Sequence, residues 1–302
     1  MKRKIRSALA TGLAIVMIAV LAACGKSGAS GSDTIHIATK GFAESDILAN
    51  AIKLLIEENS DLKTEVVTLD NNLLWDAVKS GKVDTYVEYT GTALLNILKS
   101  EPEYDPQKAY DIVKKELKDK NSLSVLDPIG FNDTYALVLR KQLAEKYGIT
   151  KTSQMAEKAG ELVFGTSQEF LKREDTWPLV EKVYNPKFKE IKTIQNNALG
   201  YQAIEQGLID VTDVYTTDSK IPTANFVVLE DDKHVFVPYY AVPIVRDDTL
   251  KKHPELEGIL NKLAGQIDDA EMQRLNGEVE LKQRPALDVA KEWLTKKGLI
   301  HS

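Results

Sequence analysis

Cysteine occurs once in this 302-residue chain, at position 24, tryptophan three times and histidine four times. One cysteine rules out an internal disulfide, so a folded body must be held by its core alone. His36, His234, His253 and His301 stand far apart, without H-E-x-x-H or comparable metal-ligand spacing, and read as surface or satisfied structural residues. A P-loop, a G-x-G-x-x-G following a strand and a G-x-S-x-G elbow are all missing. Nucleophilic and acid-base catalysis therefore have no candidate residues, and neither enzyme activity, a cofactor nor a metal is expected. The acidic pairs Glu57-Glu58 and Asp231-Asp232 read as solvated helix or turn positions. Basic residues are also outnumbered, 39 against 45 acidic, for a net charge of −6. That balance speaks against nucleic acid and anionic membrane surfaces as partners.

Long apolar runs are absent too, with one short exception at the start. Lys2, Arg3, Lys4 and Arg6 precede an apolar stretch from Ala8 to Val20, closed by Leu21-Ala22-Ala23-Cys24. The run is shorter than the roughly 20 residues of a transmembrane helix. Charged n-region, apolar h-region and small-residue cleavage site make residues 1–24 a secretory signal. LAAC followed by Gly25 resembles the lipobox of bacterial lipoproteins, which implies lipidation of Cys24; the alternative is a plain signal peptide with an incidental cysteine. Residues 25–33, GKSGASGSD, read as a flexible tether. Without the four basic residues of the signal, the exported chain would carry a net charge of −10.

Strand and helix patterns alternate through the body. TIHIAT, Thr34 to Thr39, alternates Ile35 and Ile37 as a strand does, and Ile47, Leu48, Ile52, Leu55 and Ile56 then share one helical face. Further strands are expected at Glu65–Leu69, Val83–Tyr89, Tyr135–Leu139, Leu162–Gly165, Leu208–Tyr215, Phe226–Leu229 and Val242–Val245, with helices between them and a helical end from Asp247. With 43% hydrophobic residues the chain can fill two cores, and the alternation predicts an α/β fold with largely parallel sheets.

One motif recurs. Ala77-Val-x-x-Gly81-x-Val-Asp84-x-x-x-x-Tyr89 is echoed 126 residues later by Ala203-Ile-x-x-Gly207-x-Ile-Asp210-x-x-x-x-Tyr215, with threonine following each tyrosine. Each copy reads as helix, glycine cap, strand and a tyrosine at the strand's carboxyl end, where open α/β sheets bind ligands. Tyr89, Tyr135, Tyr215 and Tyr239 all stand where a strand meets a loop. Tyrosine faces attract cations, and a quaternary ammonium group, which donates no hydrogen bond, is held by a cage of such rings. The residues alone do not choose among these four and Tyr86 or Tyr240.

The segments IATKGFAESDILAN, YTGT, GFNDTYAL, FLKRED, VYTTD, LEDDKHVFVPYYAVP and HPELEGILNKLAGQID resemble the solute-binding lipoproteins of ABC importers for glycine betaine, choline, carnitine and related osmoprotectants. The resemblance covers essentially the whole exported chain. It implies a two-lobe periplasmic-binding-protein-like fold of type II, each lobe a mostly parallel sheet flanked by helices, joined by two crossovers. Lobe 1 would comprise residues 34–134 plus 239–302 and lobe 2 residues 135–238, with hinges near Asn132–Thr134 and Phe236–Pro238. It implies a cage of Tyr89, Tyr135, Tyr215 and Tyr239 around a trimethylammonium head. Lys40 and Thr92 match positions that contact the ligand's carboxylate or polar tail, and Arg173 matches a carboxylate clamp. Arg173 is followed by Glu174 and Asp175, either of which could take it as an ion-pair partner instead. The implied partners are a quaternary ammonium ligand, an ABC permease with its ATPase, and the membrane through lipidated Cys24. The protein is expected to be exported, membrane-anchored and monomeric. Two alternatives stand beside this reading: the same scaffold tuned to another trimethylammonium compound such as ergothioneine, and a sensor or exported enzyme that kept the scaffold.

Overall fold

The computed structural model of the protein describes residues 34–195 and 197–301. The expected signal peptide, Cys24 and tether lie outside the described residues. The described residues form ten strands: β1 (Thr34–Thr39), β2 (Lys63–Thr68), β3 (Thr85–Tyr89), β4 (Leu123–Val125), β5 (Tyr135–Arg140), β6 (Val163–Ser167), β7 (Glu190–Ile194), β8 (Val211–Tyr215), β9 (Phe226–Val228) and β10 (Ala241–Arg246). They form two five-stranded sheets of matching order, β2-β1-β3-β10-β4 and β7-β6-β8-β5-β9. In the first, β1 and β3 are parallel while β10 runs against both its neighbours, β3 and β4. The second repeats this plan, with β7, β6 and β8 parallel and β5 reversed between β8 and β9. The chain passes between the sheets twice, so the molecule has two lobes and two crossovers.

The repeated motif builds the same corner in each lobe. Gly81 and Gly207 adopt positive φ (77° and 68°) after their helices, a conformation that favours glycine. The aspartate three residues on then binds the strand beside it. Asp84 Oδ2 accepts from the backbone N of His36 (2.8 Å) and Asp210 Oδ2 from that of Val163 (3.0 Å). Each aspartate's own N–H returns a 2.8 Å bond to the carbonyl of the same residue, His36 or Val163. An arginine at the end of each reversed strand, Arg246 or Arg140, closes over the glycine. Because residues 81–84 are spent on this corner, β3 starts at Thr85 rather than at the expected Val83.

Helix Ala43–Asn59 buries the predicted face, Ile47, Leu48, Ile52, Leu55 and Ile56, and packs against helix Ala286–Lys296 through Trp293 and Leu294. Two strands were not legible in advance: β4 has three residues, and β7 is a largely exposed edge strand. Among the described residues no helix is long and apolar enough to cross a membrane.

Candidate ligand-binding cleft

The carboxyl ends of β3 and β8, the crossovers and one turn of each lobe enclose a cleft of about 770 Å³. All seven residues singled out from the sequence, Lys40, Tyr89, Thr92, Tyr135, Arg173, Tyr215 and Tyr239, line it. Tyr86 does not; it is fully buried in the core.

Strand register explains why the rings converge. Tyr135 and Tyr215 are direct cross-strand partners in the antiparallel β5–β8 pair, with ring centroids 4.9 Å apart and hydroxyls 3.4 Å apart. Tyr239 meets Tyr135 edge-on at 5.8 Å, and Phe170, which sequence reasoning missed, lies 5.6 Å from it on another side. Tyr89 stands on the opposite lobe and donates its hydroxyl to Glu44 Oε1 at 2.6 Å. Burial pushes the phenol of Tyr135 up to about 12 and those of Tyr89, Tyr215 and Tyr239 well above their ordinary value, so the rings stay neutral.

The threonines after each tyrosine tie the strands to the crossovers. Thr90 donates to the carbonyl of Pro238 (2.9 Å) and accepts from the N–H of Tyr240 (3.0 Å). Thr216 donates to the carbonyl of Asn132 (2.6 Å), and Thr217 to Asp133 Oδ1 (2.7 Å). Gly91 completes the YTGT turn because a Cβ there would sit 2.7–2.8 Å from carbons of the Tyr239 ring.

Both cations of the site are already engaged. Lys40 Nζ binds Glu88, with side chains 6% and 4% exposed, while resting 5.1 Å from the Tyr89 ring centroid. Arg173 forms a fork with Asp175 through Nε (2.9 Å) and Nη2 (2.6 Å) and lies 5.7 Å from the Tyr135 centroid. Burial raises Asp175, but the hydrogen bonds and charge of Arg173 outweigh it and hold the carboxyl below its ordinary value. The same carboxylate accepts from Tyr239 (2.6 Å) and from Asn96 of the other lobe (3.3 Å).

Six acids also stand in the wall, which the sequence reading did not foresee. Glu44, Asp133, Glu169, Asp213, Asp218 and Glu280 all line the cleft. Burial raises Glu44 despite bonds from Tyr89, Thr217 and Asn276, and it raises Asp133 strongly, with the charge of Glu44 adding to the effect. Asp213 and Asp218 are pushed by burial up to about 6, against the hydroxyls of Thr166 and Tyr201. Among the described residues no group of three or more His, Cys, Asp or Glu side chains could hold a metal ion.

The model of the substrate-binding domain of ABC-type glycine betaine transport systems matches residues 33–296. The chain belongs to that family. Among its relatives, the carnitine transport binding protein OpuCC of Listeria monocytogenes is 38% identical over 98% of this chain and 97% of its own length. The ergothioneine transport permease/ergothioneine binding protein EgtU of Helicobacter pylori is 34% identical over 87% of this chain and 47% of its own. A solved glycine betaine/carnitine/choline ABC transporter structure superposes with a TM-score of 0.80 at 32% identity, covering 88% of this chain and 99% of that one. This protein is thus the substrate-binding component of an ABC transport system, on the two-lobe fold of its relatives.

Within this substrate-binding domain, most of the missed residues sat inside stretches already marked. Glu44 lies in IATKGFAESDILAN, Asp133 in GFNDTYAL, Phe170 in FLKRED and Asp218 at the end of VYTTD, which Asp213 directly precedes. Asn276 and Glu280, on the helix Asp269–Glu280, carried no such signal. Asp231 and Asp232 also depart from a purely solvated role, since both accept from the Tyr184 hydroxyl (2.5 and 3.2 Å).

Proposed function

We propose that the protein captures a trimethylammonium osmoprotectant between its lobes, with Tyr89, Tyr135, Tyr215 and Tyr239 around the cationic head. The observation that carries this reading is the convergence of Tyr135, Tyr215 and Tyr239 on one cleft whose wall is acidic. Ring faces and carboxylates both favour a cation, and rings suit one that cannot donate hydrogen bonds. Thr92 faces the polar end of the ligand. Lys40 and Arg173 would reach a ligand carboxylate only by sharing it with Glu88 and Asp175.

Lobe 1 comprises residues 34–134 and 239–302 and lobe 2 residues 135–238, hinged at residues 132–134 and 236–238. These segments run side by side, with Asp133 N donating to the carbonyl of Tyr239 (3.1 Å) and Thr134 Oγ1 to that of Val237 (3.0 Å), which supports a shared hinge. Ligand binds the closed form more tightly than the open one, and the permease with its ATPase receives the closed form. The protein is exported, held to the membrane by lipidated Cys24 through the tether of residues 25–33, and acts as a monomer that binds without turning its ligand over.

Titration calorimetry with glycine betaine, carnitine, choline and ergothioneine tests the reading. Saturable heat with at least one is expected, and no heat with any of the four overturns it.

A further inference from the structure

Leu73 and Leu199 occupy one position in two lobes. They stand 126 residues apart, the spacing of the repeated motif, and each is the third residue of its helix, Asn71–Lys79 or Asn197–Glu205. Leu73 is 59% exposed and Leu199 41%. Packing does not call for either: Leu74 and Val78 hold the first helix to its sheet, Tyr201 and Ile204 the second, and all four are buried. A single exposed leucine is ordinary, but one at the matching place on each lobe is a pattern.

Sheet order puts both at the mouth of the cleft. Each helix follows an outermost strand, β2 or β7. The N–H of Leu69 donates to the carbonyl of Thr39 (2.9 Å), so β2 ends beside Lys40 and Phe42, which line the cleft. On the other lobe β7 ends at Ile194, and Thr193, Ile194 and Gln195 line the cleft too. The crossovers meet the sheets at β10 and β5, each three strands from the outermost one, about 14 Å at ordinary strand spacing. Both leucines therefore stand away from the hinge, where closure moves the lobes furthest. Phe42, 41% exposed, adds an apolar ring to the rim on lobe 1.

A ligand held between the lobes leaves by this mouth, so its receiver meets the rim. The relative EgtU is itself both a permease and a binding protein. A second copy of this chain seated on the rim would instead block the way out. A partner that distinguishes closed from open must bind one form more tightly, and it can do so by touching both lobes at points whose separation closure sets. On the transport function proposed above, we infer that Leu73 and Leu199 form a two-point docking rim for the permease, one apolar knob per lobe, engaged together only when the lobes are closed. The matching face of the permease offers two apolar sockets, one for each leucine.

Vesicles holding the permease with its ATPase test this. ATP hydrolysis is followed against the concentration of binding protein, with glycine betaine, carnitine, choline and ergothioneine supplied together. L73D and L199D should each raise the half-maximal concentration about tenfold and the double variant about a hundredfold, while calorimetric Kd values for the four compounds stay within about twofold of the parent. L208D is the control: Leu208 is 57% exposed but precedes β8, at the end of lobe 2 away from the cleft, and its curve should match the parent's. If an aspartate variant melts early, L73S or L199S replaces it. A parent-like curve for L73D/L199D, with heat of binding intact, overturns the docking rim and leaves ligand capture standing; a loss in L208D as large as in L199D overturns the rim as well. So does a dimer of the parent in sedimentation that L73D/L199D dissolves, which assigns the rim to a second copy. A parent that gives heat but no rise in ATP hydrolysis removes the permease from both readings, and no heat with any compound removes the proposed function and the rim together.

Discussion

Lys40 and Glu88 form the most deeply buried ion pair of the site, and the carboxylate also accepts from Tyr89 N (2.9 Å) and Tyr86 Oη (3.3 Å). Removing one member of such a pair strands the other charge. Lys40→Met should therefore lower the unfolding free energy by about 3 kcal/mol in urea titrations, and K40M/E88Q should recover much of the loss. A double variant as unstable as the single one would contradict this account. Removing a ring acts differently, because the proposed cage is made of faces rather than charges. Tyr135→Ala or Tyr215→Ala should weaken binding of the cation by about 2 kcal/mol, roughly thirtyfold in Kd by calorimetry. The acids give two pH trends of opposite sign. Asp213 and Asp218 rise from an ordinary 3.8 to about 6, so between pH 4 and 6 the folded protein binds more protons than the unfolded chain. Their contribution to stability is present below pH 4 and is lost as the pH rises through 6. A bound cation favours the ionised carboxylates, so affinity should instead increase from pH 5 to 7 and then level off, with protons released on binding. Thermal melts of the free protein and titrations in buffers of differing ionisation heat measure the two slopes, and D213N and D218N should flatten both. At this scale the repeat marked Tyr89 and Tyr215, whereas Tyr135 and Tyr239 were singled out by the family resemblance. The carboxyls were hidden, because an aspartate in a motif looks the same whether it is buried or solvated.

Elements were most legible where pattern and punctuation agreed. The face of helix Ala43–Asn59 and strand Thr34–Thr39 follow from apolar spacing, and Gly81 and Gly207 mark the ends of their corners. β7 escaped because an exposed edge strand needs no apolar alternation, and β4 because three residues carry too little pattern. The short YTGT turn shows how a motif can be forced by packing instead of ligand contact. Tyr239 is only 4% exposed and is anchored to Asp175, so its ring cannot easily yield to a methyl group at position 91. Gly91→Ala should cost about 1–3 kcal/mol of stability by overpacking and should weaken ligand binding as well, since the displaced ring belongs to the proposed cage. Urea unfolding and calorimetry on that one variant check both effects. Unchanged values in both would show that Tyr239 has room to move.

The whole molecule is held in its present shape by a few hydrogen bonds that span the cleft. Ser219 donates to Glu280 (2.5 Å), Gln273 to the carbonyl of Thr216 (2.8 Å) and Asn96 to Asp175 (3.3 Å). Each joins one sheet's surroundings to the other's, on both sides of the cavity. Apparent affinity scales with the fraction of molecules in the binding-competent form. Cutting two of these bonds in S219A/N96A should therefore raise the radius of gyration of the ligand-free protein in small-angle scattering and weaken binding several-fold. The ligand-saturated protein should return to the compact value. An unchanged radius and affinity would mean that the cross-cleft bonds do not set the balance.

The matching strand orders conceal one asymmetry. All five strands of the second sheet come from one continuous stretch, residues 135–228, whereas β10, which sits between β3 and β4, arrives only after that stretch is complete. As the chain emerges from its amino end, the second lobe can close while the first still lacks an interior strand. Two edges of the first sheet, β3 and β4, stay unpaired until residue 246 has appeared. Folding of the first lobe must therefore wait for a pairing between residues more than 150 positions apart, Thr85 with Val245 among them, and such distant pairings are slow to form. The lobe that begins first is the one that finishes last.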